Sequence, residues 1–239
     1  MTMNVADVRT ALLERVPAAA RDPASVRLVR SPGRINLIGE HTDYNEGFVL
    51  PMAIDREIVI AFVPTDDRRV EITRLDTGAV ARLDLDGNRP RSGTWVDYLS
   101  GMASVLAGRG VPVRGLRGVI ASSLPIAVGL SSSAAIETAA AWALADGDGP
   151  PLAPLDLARA GQQVEHEFIG VNSGLMDQLA VILGRRDAAL LIDCRSLEHR
   201  GVPLPLDRHA VLAVDSGSPR RLGSSAYNER RAECEAVVS

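Results

Sequence analysis

One stretch of the sequence is rich in charged and polar side chains, among them Arg34, Asn36, Glu40, His41, Asp43 and Asn45. Isoleucines, leucines and glycines separate them, and an apolar run follows over residues 48–54. A plain core strand would not tolerate this density of charge without partners. The pattern therefore predicts a buried turn that directs acceptors and donors towards a small polyhydroxylated ligand.

A second stretch, S-S-L-P-I-A-V-G-L-S-S-S-A-A-I-E-T-A-A, runs from Ser122 to Ala140. It predicts a strand, a turn at Gly129 and an Ala-rich helix whose first residues are serines. The first N–H groups of a helix lack intrahelical acceptors and lie at the positive end of its dipole, so they can bind an anion. Serine hydroxyls at the same place can coordinate Mg²⁺. Simple N-capping by Ser131 or Ser132 is the alternative explanation of these serines.

A third stretch, Q-Q-V-E-H-E-F-I-G-V-N-S-G-L-M-D-Q, places Glu165 late in one helix and Asp177 at the start of the next. The helix dipole stabilises a carboxylate in the first turn, so Asp177 is expected to be ionised. The alternative is that both carboxylates are ordinary solvated helix residues. A metal site made from His41 and Asp43 is not supported, because no further ligands occur at a recognisable spacing.

The elements that would carry these residues are strands in the first half of the chain and helices mainly in the second. β-rich runs occur at 25–30, 56–63, 69–74, 79–85, 116–122, 188–193 and 210–215. Helical periodicity occurs at 95–107, 132–145, 155–168, 175–183 and after Ser224. Because strands and helices do not alternate strictly, the sequence predicts an α+β fold and not a doubly wound sheet.

The composition narrows the possible chemistry. All 26 basic residues are Arg, so a Walker A lysine, a protein-kinase lysine and a Schiff-base lysine are excluded. Phosphate binding must then use backbone N–H groups, Arg and metal. The net charge of −4 gives no reason to expect nucleic acid or an acidic membrane surface. Two cysteines without metal or disulfide spacing, Cys194 and Cys234, are expected to be free thiols in a reducing cytoplasm.

The last segment, R-L-G-S-S-A-Y-N-E-R-R-A-E-C-E-A-V-V-S, predicts a helix with Ser224 or Ser225 as its N-cap and with Tyr227, Arg231, Cys234 and Val238 on one face. No signal closes this helix, so the chain looks cut in mid-structure. We expect one domain over residues 1–205 and, over 206–239, the first strand and helix of a second. Tyr227 would then sit on a poorly supported helix.

Taken in order, four motifs resemble the galactokinases of the GHMP small-molecule kinase superfamily: G-R-I-N-L-I-G-E-H-T-D-Y-N, G-L-S-S-S-A, E-H-x-F-x-G-x-x-x-G-x-M-D-Q and S-A-Y-N-x-R-R-x-x-C-E. The resemblance covers the chain from about Leu28 onward. It implies the α+β GHMP-kinase N-terminal domain (ribosomal protein S5 domain 2-like), followed by the start of a mostly missing ferredoxin-like C-terminal domain. It also implies transfer of the γ-phosphoryl group of ATP to O1 of α-D-galactose, a step in galactose catabolism.

The same resemblance implies roles for individual residues. Arg34 and Asp177 look like the catalytic pair, in which Asp177 takes or orients the anomeric hydroxyl and Arg34 holds it ionised. Sugar ligands are implied at Glu40, His41, Asp43, Gly174 and Tyr227. The ATP phosphate loop is implied at Gly129, Leu130, Ser131, Ser132, Ser133 and Ala134. Mg²⁺ ligands are implied at Ser133 and Glu165. The family loop usually has a second glycine where this chain has Ala127.

Several alternatives remain open on the sequence alone. One is another GHMP sugar kinase, for example one acting on N-acetylgalactosamine; another is a catalytically silent galactose sensor. A third is an inactive fragment, since the resemblance implies a second domain after Ser239. The expected partner is the small-molecule sugar, with no nucleic acid and no membrane, and the full-length protein is expected to be a cytoplasmic monomer.

Overall fold

The computed structural model describes residues 4–87, 90–125, 128–215, 217 and 225–238. The helices among them are α1 (Val5–Arg15), α2 (Pro17–Arg21), α3 (Val96–Gly108), α4 (Ser132–Leu144), α5 (Pro154–Val164), α6 (Met176–Leu183) and α7 (Ser225–Val238). The strands are β1 (Arg27–Asn36), β2 (Phe48–Val49), β3 (Pro51–Thr65), β4 (Arg69–Arg74), β5 (Val80–Asp84), β6 (Gly115–Ser122), β7 (Ala188–Asp193) and β8 (His199–Pro203). A 3₁₀ turn (Pro23–Ser25) and a π-helical turn (Glu165–Ile169) complete these elements.

The main sheet has five strands in the order β1-β3-β6-β4-β5. Its pairs are antiparallel except for β4 and β6, which run parallel. The register between β1 and β3 shifts between Pro32 and Arg34. Such an irregularity re-aims the side chains that follow it, and here it precedes the arginine that the resemblance assigns to catalysis.

Strand β3 shows why the sheet is covered on both faces. Its residues Ile58, Ile60 and Phe62 belong to the large core that also contains side chains of α3, α4 and α5. The alternate residues 59, 61 and 63 pack with Val8 and Leu12 of α1 on the opposite face. Because successive side chains of a strand point to opposite faces, an apolar run of this length is buried only between two layers.

A second sheet of three strands, β2-β7-β8, lies beside the helical layer. Its inner residues Val49, Leu190 and Ile192 pack against Ala158 of α5 and Leu179 of α6. This small core fixes the start of α6, where Asp177 lies, against β2. Strand β2 follows the turn that contains Glu40, His41 and Asp43.

The mixed α+β architecture agrees with the expectation from sequence, but three local features do not. Strand β1 continues through Asn36, so the stretch expected to be a turn is strand as far as that residue. The expected helix over 155–168 changes to a π-helical turn at Glu165. Finally, none of the described strands pairs with residues 210–215, so the strand expected there is wrong.

The segment 210–215 is apolar enough to suggest a strand but is extended and exposed, with Leu212 and Val214 more than four-fifths accessible. A β-strand requires hydrogen bonds to a neighbour, and propensity alone does not supply one. The domain boundary expected near residue 205 stays a prediction. Among the described residues, no helix is sufficiently long and apolar to span a bilayer.

Candidate active site

Arg34 connects two of the sequence motifs. Its side chain is largely buried, and its Nε and NH2 groups donate to Oδ1 of Asp177 at 2.8 and 2.6 Å. Its NH1 group donates to the carbonyl oxygen of Gly129 at 2.7 Å. A guanidinium presents its donors in a planar fork, which suits it to such simultaneous contacts. The arginine thus holds the start of α6 against residues 129–134, which we call the serine-rich loop.

The serine-rich loop has the backbone form that a tight turn before a helix requires. Gly129 and Ser131 both lie in the left-handed region, with φ of 82° and 55°. The N–H group of Arg34 donates to the carbonyl oxygen of Leu130 at 3.1 Å. A Cβ atom at Gly33 would lie 2.7 Å from that same oxygen, so only glycine allows β1 to approach the loop this closely. Ala127, where the family has a second glycine, lies outside the described residues.

Ser131 occupies the N-cap position of α4 but does not act as the cap. Its hydroxyl donates to Oδ2 of Asp177 at 2.5 Å instead of to a backbone N–H group of the helix. The capping alternative is therefore wrong for Ser131. The first turn of α4 thus keeps the N–H groups and dipole that favour an anion, and Ser132 and Ser133 lie in that turn.

Glu165 is buried at the first residue of the π-helical turn. The hydroxyl of Ser173 donates to its Oε2 atom, and Ser133 and Gln178 are also within hydrogen-bonding reach of the carboxylate. Burial raises the pKa of Glu165 to about 7, with a further upward contribution from the charge of Asp177. A π-bulge of this kind is frequent at functional sites, because it displaces one side chain from the helical register.

Ser133 and Glu165 fit the role of Mg²⁺ ligands in donor type and position. One hydroxyl and one carboxylate lie side by side at the start of α4, where phosphate would bind. Mg²⁺ usually keeps several waters and binds one or two carboxylates together with substrate phosphates, so few protein ligands are needed. In keeping with this, the described residues contain no cluster of three or more His, Cys, Asp or Glu side chains.

The sugar ligands implied by the resemblance form a second group beside Asp177. The carboxylate of Asp43 lies directly against Gly174, where a Cβ atom would collide with its Oδ2 atom. The hydroxyl of Tyr227 is hydrogen-bonded to the backbone of Gly174. Burial, and then the charge of Asp177, raises the pKa of Asp43 above its usual range. Asp43, Gly174, Asp177 and Tyr227 are thus brought together.

His41 and Glu40 are more exposed than the other implied ligands. The Nδ1 atom of His41 and the hydroxyl of Tyr44 share a hydrogen bond of 2.6 Å, and the His41 ring lies 6.0 Å from that of Tyr227. Glu40 accepts from Nδ2 of Asn36 at 3.1 Å. His41 therefore lies beside Tyr227, whereas Glu40 is bonded, among the described residues, to Asn36 at the end of β1.

Helix α7 is better attached than the sequence led us to expect. The side chain of Asn228 donates to the carbonyl oxygen of Gly170 at 3.0 Å and accepts from the N–H group of Asn172 at 2.9 Å. Arg231 donates to the carbonyl oxygen of Asn172 at 2.9 Å and lies over the ring of Tyr44. The expectation that Tyr227 sits on a poorly supported helix is wrong, because these contacts fix α7 to the loop that leads to Asp177.

Sequence reasoning did not assign roles to Tyr44, Asn228, Arg231, Glu137 or Gln178. All five stand inside stretches quoted above, but the partners of the first three are backbone groups and rings that only the fold brings near. Glu137 and Gln178 are buried in α4 and α6. A polar residue at a helix position facing the core, within a quoted stretch, was the signal of these two.

Two family descriptions match the chain. Residues 19–64 match the "Galactokinase galactose-binding signature", and residues 97–185 match "GHMP kinases N terminal domain". Each matched stretch contains part of the site described above. Arg34, Glu40, His41 and Asp43 fall in the first match. The serine-rich loop, Glu165 and Asp177 fall in the second.

The chain is also similar in sequence and in fold to individual known proteins. The chain is 46% identical to a galactokinase of Chloroflexus aggregans over 213 residues and 44% identical to one of Roseiflexus sp. over 211 residues. It spans 54% of the length of each of these relatives, so about half of each relative has no counterpart here. The crystal structure of Lactococcus lactis galactokinase complexed with galactose covers 95% of the chain with a TM-score of 0.84 and 35% identity, and 60% of that chain is covered.

A Methanococcus jannaschii mevalonate kinase shares the fold, with a TM-score of 0.62 over 74% of this chain and 23% identity. An Arg–Asp pair that meets a serine-rich helix start on this α+β fold, together with these matches, defines the class as GHMP kinases. Within that class, the chain belongs to the galactokinase family.

Proposed function

We propose that the protein is a galactokinase, which transfers the γ-phosphoryl group of ATP to O1 of α-D-galactose. The observation that carries this proposal is the double engagement of Asp177, by Arg34 at one oxygen and by Ser131 of the phosphate loop at the other. Phosphoryl transfer is catalysed mainly by positioning and electrostatics, so the sugar hydroxyl and the phosphate must be held side by side. Asp177 lies where those two substrates would meet.

In this mechanism Asp177 accepts the proton of the anomeric hydroxyl, and O1 then forms its bond to the γ-phosphorus as ADP leaves. Each carboxylate oxygen has two acceptor sites, so Oδ2 can bind the sugar hydroxyl beside its bond from Ser131. Arg34 holds the carboxylate of Asp177 in place and puts positive charge next to the transferred group. Its bond to the carbonyl oxygen of Gly129 keeps that charge at the phosphate loop.

The sugar would be held by the group around Gly174. Asp43, Tyr227 and His41 offer acceptors and donors to hydroxyls on the ring, and Glu40 extends the set from the end of β1. A buried carboxylate that loses its hydroxyl partner is left without compensation for its desolvation. A sugar whose hydroxyls point the wrong way would therefore bind weakly.

Ser133 and Glu165 would hold Mg²⁺ beside the nucleotide phosphates, and the ion would neutralise negative charge that develops during transfer. Glu165 has to be ionised for this role, although its pKa without metal is about 7. The bonds from Ser133 and Ser173 to its carboxylate favour the ionised form. We also propose that the protein acts as a monomer in the cytoplasm, as the family resemblance implies.

The test is product analysis with the protein expressed from its natural gene. Galactose and MgATP should give ADP and one sugar phosphate, whose ³¹P signal is coupled to the anomeric proton. Phosphate on another oxygen would contradict the proposed site. Faster turnover of N-acetylgalactosamine than of galactose would assign the protein to a different sugar, and galactose binding without ADP release would make it a sensor.

A further inference from the structure

Glu137 is a buried carboxyl group that the mechanism above does not use. It lies in α4, one turn after the serine-rich loop, with a relative exposure of 0%, and it faces Gln178 of α6, with an exposure of 1%. Nε2 of Gln178 donates to Oε2 of Glu137 at 3.2 Å. The other oxygen of each side chain, Oε1 in both, has no hydrogen-bond partner among the described residues.

Two unpartnered acceptors in one dry contact are costly, because neither oxygen recovers the hydrogen bonds that it loses on leaving water. One proton would satisfy both atoms. A carboxylic acid and a carboxamide pair through two parallel hydrogen bonds, in which the amide donates to one oxygen of the acid and the acid donates to the oxygen of the amide. The observed bond from Gln178 to Oε2 is the first of these two.

The surroundings of the pair favour the neutral acid over a bridging water or an ionised carboxylate. A Cβ atom at Gly161 of α5 would lie 2.9 Å from both Oε2 of Glu137 and Cγ of Gln178, so α5 closes the contact tightly. Burial raises the pKa of Glu137 well above its usual range, and the charges of Glu165 and Asp177 act in the same direction.

We propose that Glu137 is a positioning residue that acts as a neutral carboxylic acid: paired with Gln178, it fixes α6, which carries Asp177, to α4, which begins at the phosphate loop. Gln178 is adjacent to Asp177 in sequence and also reaches the carboxylate of Glu165. The pair thus ties together the three elements that carry the serine-rich loop, the metal ligand and the residue bound by Arg34. The catalytic part of this inference rests on the proposed function, whereas the acid–amide pair does not.

The neutral state of Glu137 matters as well as its position, because the site already carries negative charge. Glu165 and Asp177 already place two carboxylates at the site, and the triphosphate of ATP would add more negative charge. A third ionised carboxylate in a dry helix contact would oppose both nucleotide binding and ionisation of Glu165. A protonated Glu137 supplies the geometry of a hydrogen-bonded pair without that charge.

The test compares Glu137→Gln with Glu137→Leu. Glutamine keeps the shape and both hydrogen bonds, because an amide can also donate to Oε1 of Gln178, whereas leucine leaves Gln178 without a partner. We expect Glu137→Gln to retain the melting temperature and kcat within about threefold, and Glu137→Leu to melt at least about 4 °C lower and to lose at least tenfold in kcat. If Glu137 acted as an anion, the glutamine variant would lose as much as the leucine variant, which would overturn the proposal.

An infrared measurement on the 239-residue chain tests the protonation state of Glu137 directly. It gives an answer even if Glu137→Leu does not fold. The wild-type chain at about pH 8 should show the C=O band of a protonated carboxyl, and Glu137→Gln should remove it. The variant Glu165→Gln is the matched control and should leave the band. No such band in the wild-type chain would show an ionised Glu137. Failure of the proposed kinase function alone would instead appear as an inactive wild type that keeps the band.

Discussion

Arg34 donates two hydrogen bonds to a single oxygen of Asp177, although the two residues are 143 positions apart in sequence. This arrangement occupies Oδ1 and leaves the acceptor capacity of the carboxylate at Oδ2, which also receives the hydroxyl of Ser131. The side chain of Arg34 is 11% exposed and that of Asp177 is 24% exposed. The pair is thus largely buried, and Asp177 is the more exposed of the two side chains.

Replacing Asp177 by Asn should nearly abolish turnover while galactose still binds. Asparagine keeps the shape of the side chain but cannot accept a proton from the anomeric hydroxyl or balance the charge of Arg34. We expect less than a tenth of the wild-type kcat, with galactose affinity changed by a few fold, measured by steady-state assay and by calorimetry. Asp156→Asn, also in the first turn of a helix but half-exposed, is the control. Retention of more than a tenth of kcat would contradict proton acceptance by Asp177.

Galactose should bind at least tenfold more tightly than glucose, its C4 epimer. The reason is that a hydrogen bond to a buried charged group contributes about 1.5–3 kcal/mol, and the carboxylate of Asp43, in the sugar site, is available to a ring hydroxyl. Calorimetric titration with each sugar measures the ratio. Equal affinities would show that Asp43 does not distinguish the two orientations of the C4 hydroxyl.

The sequence predicted most of the strands and helices, because apolar periodicity is a local signal; the roles that the motifs imply for the site residues stay predictions. It did not predict that the first part of the charged stretch, through Arg34 and Asn36, would be strand. A strand tolerates Arg34 because Asp177 and the carbonyl oxygen of Gly129 reach it from distant parts of the chain. Tertiary partners of this kind leave no trace in local periodicity, so the predicted turn was wrong as far as Asn36, whereas Glu40, His41 and Asp43 do lie in turns.

The difference between local sequence signals and tertiary hydrogen-bond partners also explains two other incorrect predictions. The π-helical turn at Glu165 differs from an α-helix only in where a carbonyl oxygen finds its donor, and Gly170 and Val171 both donate to Glu165. Residues 210–215 have strand-like composition, but a strand is defined by its neighbour, and none of the described strands is placed to pair with it. In both cases hydrogen-bond partners, and not side-chain type, decide the structure.

Replacing Gly174 by Ala should weaken galactose binding. The added methyl group would collide with the carboxylate of Asp43 and displace it from the position in which it would bind the sugar. We expect a loss of at least tenfold in affinity by calorimetry, with little change in ATP affinity, because the phosphate loop is not touched. Gly201→Ala in β8, where a methyl group meets nothing within 4 Å, is the matched control. Equal effects of the two substitutions would refute the role of this close approach.

Replacing Asn228 by Ala should release α7 from the loop over 170–174. The substitution removes one donor and one acceptor, worth on the order of 1 kcal/mol each, and Tyr227 depends on this attachment for its position. We expect faster hydrogen exchange over residues 225–238 and a five- to thirtyfold loss of galactose affinity, as roughly 1–2 kcal/mol implies. Arg230→Ala, which removes only an exposed pair with Glu233, should do neither. Unchanged exchange in the Asn228 variant would show that other contacts hold the helix.

Without metal, stability should fall as the pH rises from about 4.5 to about 7, and Glu165 should account for part of the fall. Burial raises the pKa of Glu165 from 4.5 to about 7, so the folded chain holds a proton in this range that the unfolded chain has lost. The stabilisation is complete below about pH 4.5 and disappears as the pH passes the folded-state pKa, with an upper bound of about 3 kcal/mol. Urea unfolding of the wild type and of Glu165→Gln over this range measures it, because the free energy of unfolding of the wild type should fall steadily with pH relative to that of Glu165→Gln. Glu167→Gln, exposed on the same turn, should follow the wild type at every pH. A constant difference between the wild type and Glu165→Gln would mean that Glu165 does not gain a proton on folding.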